Sequence, residues 1–256
     1  AHGIMTTDTE PKIATRQRTI NGEVVTVTGI AKGSGMIQPN MATMLSYIAS
    51  DVTATKATLK ACLLAAGDRS FNRITVDSDT STNDSCMLSA TGVSSVDIDV
   101  DEQAHEQFVQ MLNEVCLELA QGIIRDGEGA TKFVAVEVGS SESRSDSLNI
   151  AYAIANSPLM KTALFASDAN WGRLVMAIGK APVAIDVNKL DIFLGDVQLM
   201  KKGQKALDYT EKAGSDVMAE EEILIRVELN AGSIRETVWT SDLSHEYVRI
   251  NAEYRT

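Results

Sequence analysis

The sequence predicts a mixed α/β fold, arranged as an α+β sandwich. Between residues 102 and 125, apolar residues recur at spacings of three and four, which is typical of an amphipathic helix. Near residues 223–229 they alternate with polar residues, which is typical of a strand with one buried face. Because helical and strand patterns alternate along the chain, we expect the two kinds of element to pack in layers.

The first elements are a hairpin and a short helix. Asn21-Gly22 separates two β-prone runs, and both residues tolerate the positive φ of a two-residue turn. A helix over residues 54–66 follows, with Thr53 as its N-cap and Gly67 at its end.

The later elements follow from periodicity. Residues 74–76 and 133–138 are predicted strands, and residues 148–155 and 171–178 are predicted helices. The predicted helix over residues 102–125 has an apolar face made of Phe108, Leu112, Val115, Leu119 and Ile123. The strand near the end of the chain has its buried face at Ile223, Ile225, Val227 and Leu229.

Composition limits the class of protein. The chain has 256 residues, of which 44% are hydrophobic and 23% charged, as in ordinary globular proteins. No Pro-, Gly- or Ser-rich linker divides it, so the sequence predicts one structural unit. The sequence lacks the long apolar run of a membrane helix and the pattern of a signal peptide, so we expect no membrane association and a cytoplasmic location.

The net charge and the potential metal-ligating residues limit the partners and metals that the chain is expected to bind. The net charge of −12 disfavours nucleic acid, because phosphate binding depends on Lys and Arg. Cysteine and histidine are few, scattered and without CxxC spacing, so the sequence predicts no disulfide framework and no metal centre. These residues are Cys62, Cys86, Cys116, His2, His105 and His245.

A glycine-rich loop carries the first candidate site. Gly33-Ser34-Gly35 either forms a tight turn or lets backbone N–H groups approach a phosphate, although neither the P-loop nor the GxGxxG order is present. Further along this segment, Thr43 follows the small residue Ala42. A threonine hydroxyl held against the preceding carbonyl can attack it and leave Thr43 at a new N-terminus, with its own α-amino group as base. The alternative is a purely structural threonine.

Three other polar segments have two interpretations each. The carboxylates and hydroxyls of residues 77–84 indicate either a cation site or a hydrogen-bonded polar turn. Glu128 follows Gly127, the expected cap of the long helix, and is either a solvated loop acid or a ligand for an amine. In residues 168–173, Asp168 or Asn170 is predicted to cap a helix that begins at Trp171.

Several segments, in order, resemble the ornithine acetyltransferase family. They cover essentially the whole chain, and the segment at residues 32–45 is highly specific. The segments are MTTDT (5–9), KGSGMIQPNMATML (32–45), TVDSDTSTND (75–84), DGEGATKF (126–133), NWGR (170–173) and YVRINAEY (247–254).

This resemblance implies an aminopeptidase/ornithine acetyltransferase-like fold and self-cleavage between Ala42 and Thr43. It implies acetyl transfer from N2-acetylornithine to glutamate in cyclic arginine biosynthesis, with Thr43 as the nucleophile that carries the acetyl group. No cofactor is implied, although acetyl-CoA is a possible co-substrate. Residues 1–42 would end one subunit (α) and residues 43–256 would form the other (β), and the two kinds of piece would assemble into a heterotetramer.

The resemblance also implies which side chains contact substrate. Lys32 and the hydroxyls of Thr6 and Thr256 suit the α-carboxylate of either substrate, with Thr7 as the alternative to Thr6. Glu128 suits the ammonium of ornithine. The implied substrate-binding residues are Thr6, Lys32, Thr43, Glu128, Asn251 and Thr256.

Two features depart from the family pattern. Ser78 stands where the family has glycine, which we expect to affect a turn. The family segment before Thr6, which supplies a Thr-Gly oxyanion hole, is absent from this sequence, and each such donor contributes about 2.7–4 kcal/mol. Two alternatives stay open: an N-terminal-nucleophile aminopeptidase or amidase, in which water accepts the acyl group, and an inactive amino-acid-binding subunit.

Overall fold

The computed structural model describes residues 1–38, 44–81 and 83–253. The chain forms two units, Ala1–Gly127 and Glu128–Thr256. Composition does not mark this boundary, because it falls within the short loop that follows the long helix. The division at Thr43 concerns cleavage of the chain and stays a prediction.

The hairpin predicted at Asn21-Gly22 is confirmed. Strand β1 (Lys12–Ile20) pairs antiparallel with β2 (Glu23–Lys32), so that the two residues between them form the turn. Their φ angles are 52° and 84°, the left-handed region in which Asn and Gly are the least costly residues.

These strands belong to a four-stranded sheet with the order β1-β2-β3-β5. Strand β3 (Leu45–Ser50) is antiparallel to β2, and β5 (Ser85–Ala90) is parallel to β3. The parallel pair requires a crossover, which contains helix α1 (Lys56–Arg69) and the short strand β4 (Ile74–Thr75).

The prediction of both ends of α1 was wrong. Thr55 is the N-cap, and its hydroxyl oxygen accepts the N–H of Thr58 at 3.3 Å. The hydroxyl of Thr53 instead donates to the carbonyl of Ser94 at 3.3 Å. Gly67 does not end the helix, because it lies buried in the last turn with a helical conformation.

The long helix is confirmed as α2 (Glu102–Arg125), and all five apolar residues predicted for its inner face are buried. It packs on β1 and β2, where Gly29 faces it. A Cβ at Gly29 would lie 2.8 Å from Leu119 Cδ1 and 3.0 Å from Val115 Cγ1. The helix and sheet approach this closely because residue 29 has no side chain.

The second unit contains a sheet in which β11-β6-β10-β7-β8-β9 are neighbours in that order. Strands β6 and β10 are parallel, and the other neighbours are antiparallel. The strand predicted at residues 133–138 is confirmed, and so is the buried alternation at residues 223–229. The strand bounds are β6 (Phe133–Ser141), β7 (Asp191–Leu194), β8 (Val197–Lys201), β9 (Gln204–Lys205), β10 (Glu222–Glu228) and β11 (Ile234–Ser241).

Helices accompany this sheet, and α3 packs against β6 and β11. The helices predicted at residues 148–155 and 171–178 are confirmed, with Asn170 capping the second through its 3.2 Å bond from the N–H of Arg173. None of the described helices is long and apolar enough to span a membrane. The helix bounds are α3 (Arg144–Ala155), α4 (Pro158–Phe165), α5 (Trp171–Lys180), α6 (Glu211–Met218) and α7 (His245–Glu253).

Replacing glycine by alanine is expected to have opposite effects on stability at Gly29 and at Gly67. Gly29→Ala should lower the free energy of unfolding by about 1–3 kcal/mol, because Leu119 and Val115 are buried and the added methyl overpacks them. Gly67→Ala should raise it by about 0.5–1 kcal/mol, because a helical Ala restricts the unfolded chain and meets no atom within 4 Å. Urea unfolding monitored by circular dichroism measures both values. Equal effects of the two substitutions would contradict the packing argument.

Candidate functional site

In the first unit, the buried carboxylate of Asp8 joins two segments that carry predicted substrate residues. Its side chain is 0% exposed. Its Oδ2 accepts the N–H of Thr6 at 3.1 Å, and its Oδ1 accepts the N–H of Gly33 at 2.8 Å. Because Gly33 directly follows Lys32, one carboxylate holds the segments of both Thr6 and Lys32.

Lys12 is the cation that balances this carboxylate. Its Nζ lies 2.5 Å from Oδ1 of Asp8 and forms a second ion pair with Asp126, at the C-cap of α2. The Lys12 side chain is only 5% exposed, and that of Asp126 10%. Asp126 also accepts hydrogen bonds from Thr9, through its backbone N–H and hydroxyl, and from the N–H of Glu10. These donors offset the unfavourable position of a carboxylate at a helix C-terminus.

The pKa of Asp8 reflects these competing effects. Burial raises the pKa, because it disfavours the charged form. The hydrogen bonds from Gly33, Lys12 and Thr6, together with the charge of Lys12, lower it further than burial raises it. The pKa of Asp8 therefore lies below its ordinary value of 3.8.

The two adjacent threonines differ in what their hydroxyls do. The Thr7 hydroxyl lies 2.6 Å from the hydroxyl of Ser34, so these two side chains are partners. Thr6 is exposed, and within the described residues its hydroxyl makes no hydrogen bond. This arrangement favours Thr6 over Thr7 as the group available to a ligand.

Lys32 is the last residue of β2 and is half-buried opposite Leu45 of β3. Burial raises the pKa of the nearby Asp84 carboxyl, whereas a hydrogen bond from the Ser81 hydroxyl and the charge of Lys32 lower it by less. Oδ2 of Asp84 is buried and has no hydrogen-bond partner among the described residues. Lys32 is therefore a half-buried cation that lies near a carboxylate.

The polar segment that begins at Asp77 contains a hydrogen-bonded turn. Oxygens of Asp77 accept the N–H groups of Met36 at 2.7 Å, Ile37 at 2.9 Å and Asp79 at 3.3 Å. Ser78 has a φ of 66°, the conformation that favours glycine, so the departure from the family pattern does lie in a turn. In the described parts of the chain, no three His, Cys, Asp or Glu side chains are grouped to hold a metal ion.

In the second unit, Glu128 and Asn251 lie together. Nδ2 of Asn251, on α7, donates to Oε2 of Glu128 at 2.7 Å and to the carbonyl of Tyr247 at 3.0 Å. Gly129 makes this contact possible, because it has a φ of 66° and a Cβ there would lie 2.5 Å from the Tyr247 nitrogen. Ser244 ties the same loop to the start of α7 by donating to the carbonyl of Gly129 at 2.6 Å.

The sequence did not reveal the residues that organise these sites. Asp126, rather than Gly127, occupies the C-cap of α2, and its pairing with Lys12 joins residues 114 positions apart. The only local signal was that Asp8 and Lys12 have opposite charges and are close in sequence. Ala42, Thr43 and Thr256 lie outside the described residues, so the nucleophile, the cleavage site and the last substrate contact stay predictions.

A sheet covered by a long helix in the first unit, and a larger sheet accompanied by helices in the second, define a mixed α/β protein. Residues 1–256 match the model of the ArgJ family. The chain therefore belongs to the ArgJ family.

Individual relatives agree with this assignment. The chain is 55% identical to proteins named arginine biosynthesis bifunctional protein ArgJ from Pseudomonas fluorescens (strain Pf0-1), over 260 residues, and Pseudomonas syringae pv. tomato, over 259 residues. Each comparison includes all of this chain but only 64% of the relative's length. A crystal structure of the protein with this name from Bacillus halodurans is 35% identical, with a TM-score of 0.78. The superposition covers 83% of this chain and 100% of that one, which confirms the mixed α/β fold.

The lowered pKa of Asp8 predicts how stability depends on pH. The unfolded value is about 3.9, so the ionised carboxylate stabilises the fold above about pH 4, and this contribution is lost as pH falls through the lower folded pKa. Urea unfolding of the unmodified protein and of Asp8→Asn, at pH 7 and at pH 3, should give a larger difference at pH 7. Asp196→Asn, at an exposed carboxylate, should give a small difference at both. A constant Asp8→Asn difference would contradict the ionic role of Asp8.

Proposed function

We propose that the chain belongs to an acyltransferase that moves an acetyl group from N2-acetylornithine to glutamate through an acetyl-threonine at Thr43. The match to the ArgJ family over residues 1–256 carries this proposal. The chain spans 64% of the length of its relatives, so the activity is proposed for the protein that includes this chain. The names of those relatives place them in arginine biosynthesis.

In the first unit, Thr6 and Lys32 are suited to a substrate α-carboxylate. A lysine ammonium supplies charge-assisted hydrogen bonds, and a threonine hydroxyl supplies one more donor. Two observations support this role: the Thr6 hydroxyl makes no hydrogen bond to any described residue, and both segments are linked to Asp8.

In the second unit, Glu128 is suited to the side-chain ammonium of ornithine. Glu128 is only 9% exposed, and among the described residues its carboxylate accepts a hydrogen bond from the Asn251 amide. An ionised carboxylate can accept about four, so it has room for a cation. The amide fixes the orientation of the carboxylate without neutralising it.

The chemistry proceeds in two halves. The Thr43 hydroxyl attacks the acetyl carbonyl, the amide C–N bond breaks, and the amine leaves as ornithine with the proton from the hydroxyl. The amine of glutamate then attacks the acetyl ester, which restores the hydroxyl and gives N-acetylglutamate. The α-amino group of Thr43, with an ordinary pKa of about 7.7–8.0, accepts and returns the proton.

The proposal includes the assembly of the protein. Cleavage between Ala42 and Thr43 releases the α-amino group of Thr43, and the α and β pieces form a heterotetramer. We expect a cytoplasmic enzyme without a cofactor. Acetyl-CoA is a possible second acetyl donor.

Cleavage can be tested by intact-mass measurement of the protein with any further residues that its gene encodes. We expect two pieces separated at Ala42-Thr43, and an uncut, inactive protein after Thr43→Ala, because that change removes the nucleophile of both reactions. The exposed Thr19 provides the matched control, since Thr19→Ala should leave cleavage and activity unchanged. Full activity without cleavage would overturn the proposal. Release of free acetate with no transfer to glutamate would identify an amidase instead.

Glu128→Gln tests recognition of the ornithine ammonium. The amide oxygen of Gln can still accept the Asn251 bond, so the variant removes mainly the charge. A charge-assisted hydrogen bond contributes about 1.5–3 kcal/mol, which corresponds to a rise in KM for N2-acetylornithine of roughly 10- to 100-fold. KM for glutamate should change much less. Steady-state kinetics measures both, and Glu142→Gln, at an exposed position, is the control. Equal changes for the two substrates would argue against this role.

A further inference from the structure

The most heavily buried charged group near the predicted substrate residues is one that the proposed chemistry does not use. Asp8 has no exposed side-chain surface, and its two oxygens accept bonds from two separate segments. One segment carries Thr6 and the other follows Lys32. Asp8 therefore connects the backbones of those two segments directly.

Gly33 is held from both sides of its backbone. Its N–H donates to Asp8 at 2.8 Å, and its carbonyl accepts a bond from Lys12 Nζ at 3.3 Å. Its φ of 146° is one that residues with side chains rarely adopt. The ion pair between Asp8 and Lys12 thus fixes the conformation of the residue directly after Lys32.

Stability alone is a weak reason for burying three charges here. Asp8, Lys12 and Asp126 are all nearly excluded from water. Apolar side chains of similar volume often stabilise a fold as well as a buried ion pair does, because the charges lose hydration. A charged cluster fixes the positions of its groups more precisely than apolar side chains do, since its hydrogen bonds specify both distance and direction.

We propose that Asp8 is a positioning residue, which sets the Thr6 hydroxyl and the Lys32 ammonium at the separation that a substrate α-carboxylate requires. This inference rests on the proposed function. In this role Asp8 acts through the backbone N–H groups of Thr6 and Gly33, which donate to its carboxylate, and not through contact with the substrate.

Asp8→Asn tests the inference with two acetyl donors. N2-acetylornithine has the α-carboxylate, and N-acetyl-1,4-diaminobutane is the same molecule without it. In the unmodified protein, kcat/KM should favour N2-acetylornithine. In Asp8→Asn that preference should fall by about 10- to 100-fold, mainly through KM for N2-acetylornithine. Hydrogen exchange at the Thr6 and Gly33 amides should become faster.

Two further variants separate positioning from stability. Asp101→Ala removes the N-cap of α2 and should lower the melting temperature without changing the preference between donors. If Asp8→Asn does not fold, the double variant Asp8→Asn, Lys12→Met can be used, because it also removes the lysine charge that would otherwise face a neutral amide. The same loss of preference between donors is expected.

The outcomes distinguish this inference from the function on which it rests. If the unmodified protein transfers no acetyl group from N2-acetylornithine, the proposed function fails and the inference fails with it. If transfer occurs but the Asp8 variants slow both donors equally, only the positioning role is overturned. A selective loss for the donor with the carboxylate supports it.

Discussion

The close approach of α2 to the first sheet determines the arrangement of the first unit. Gly29 lets the middle of the helix contact β2, and Gly122 does the same for β1, since a Cβ there would lie 3.2 Å from Lys12 Cγ. The aliphatic part of Lys12 therefore lies against the helix, and its ammonium reaches Asp126 at the helix end. The absence of a side chain at Gly29 and Gly122 thus helps to determine the position of the Lys12 ammonium.

Charged pairs in this unit have different roles according to their exposure. Arg16 and Arg18 on β1 pair with Glu114 and Glu118 on α2, but all four side chains are partly open to water. Such pairs typically contribute no more than about 1 kcal/mol. The Asp8–Lys12–Asp126 cluster is buried, so its hydrogen bonds define the backbone of two segments more strictly than the surface pairs can.

The sequence predicted features that depend on local chemistry. The Asn21-Gly22 turn and the apolar stripe of α2 follow from φ preferences and helical periodicity, and both are present. The N-cap of α1 was misplaced because Thr53 and Thr55 are residues of the same type, whereas the contacts that distinguish them are distant in sequence. Thr53 forms a parallel β-bridge with Asp97, and its hydroxyl donates to the carbonyl of Ser94. The pairing of Lys12 with Asp126 has no local signal. Of the residues implied by resemblance, Glu128 and Asn251 are in contact. Asp8 links the backbone of Thr6 to that of Gly33, the residue after Lys32.

The two-residue turn at Asn21-Gly22 also bears on the order in which the first unit folds. A hairpin with so short a loop closes in about 1–10 μs, because little chain entropy is lost. The helix that covers it begins some 80 residues further along, at Glu102, so its docking requires closure of a much longer loop. We infer that the β1–β2 hairpin forms early and presents the surface, with its gap at Gly29, on which α2 later docks. The hairpin thus depends on contacts that are local in sequence, whereas the packing of α2 on it depends on contacts between residues far apart in sequence.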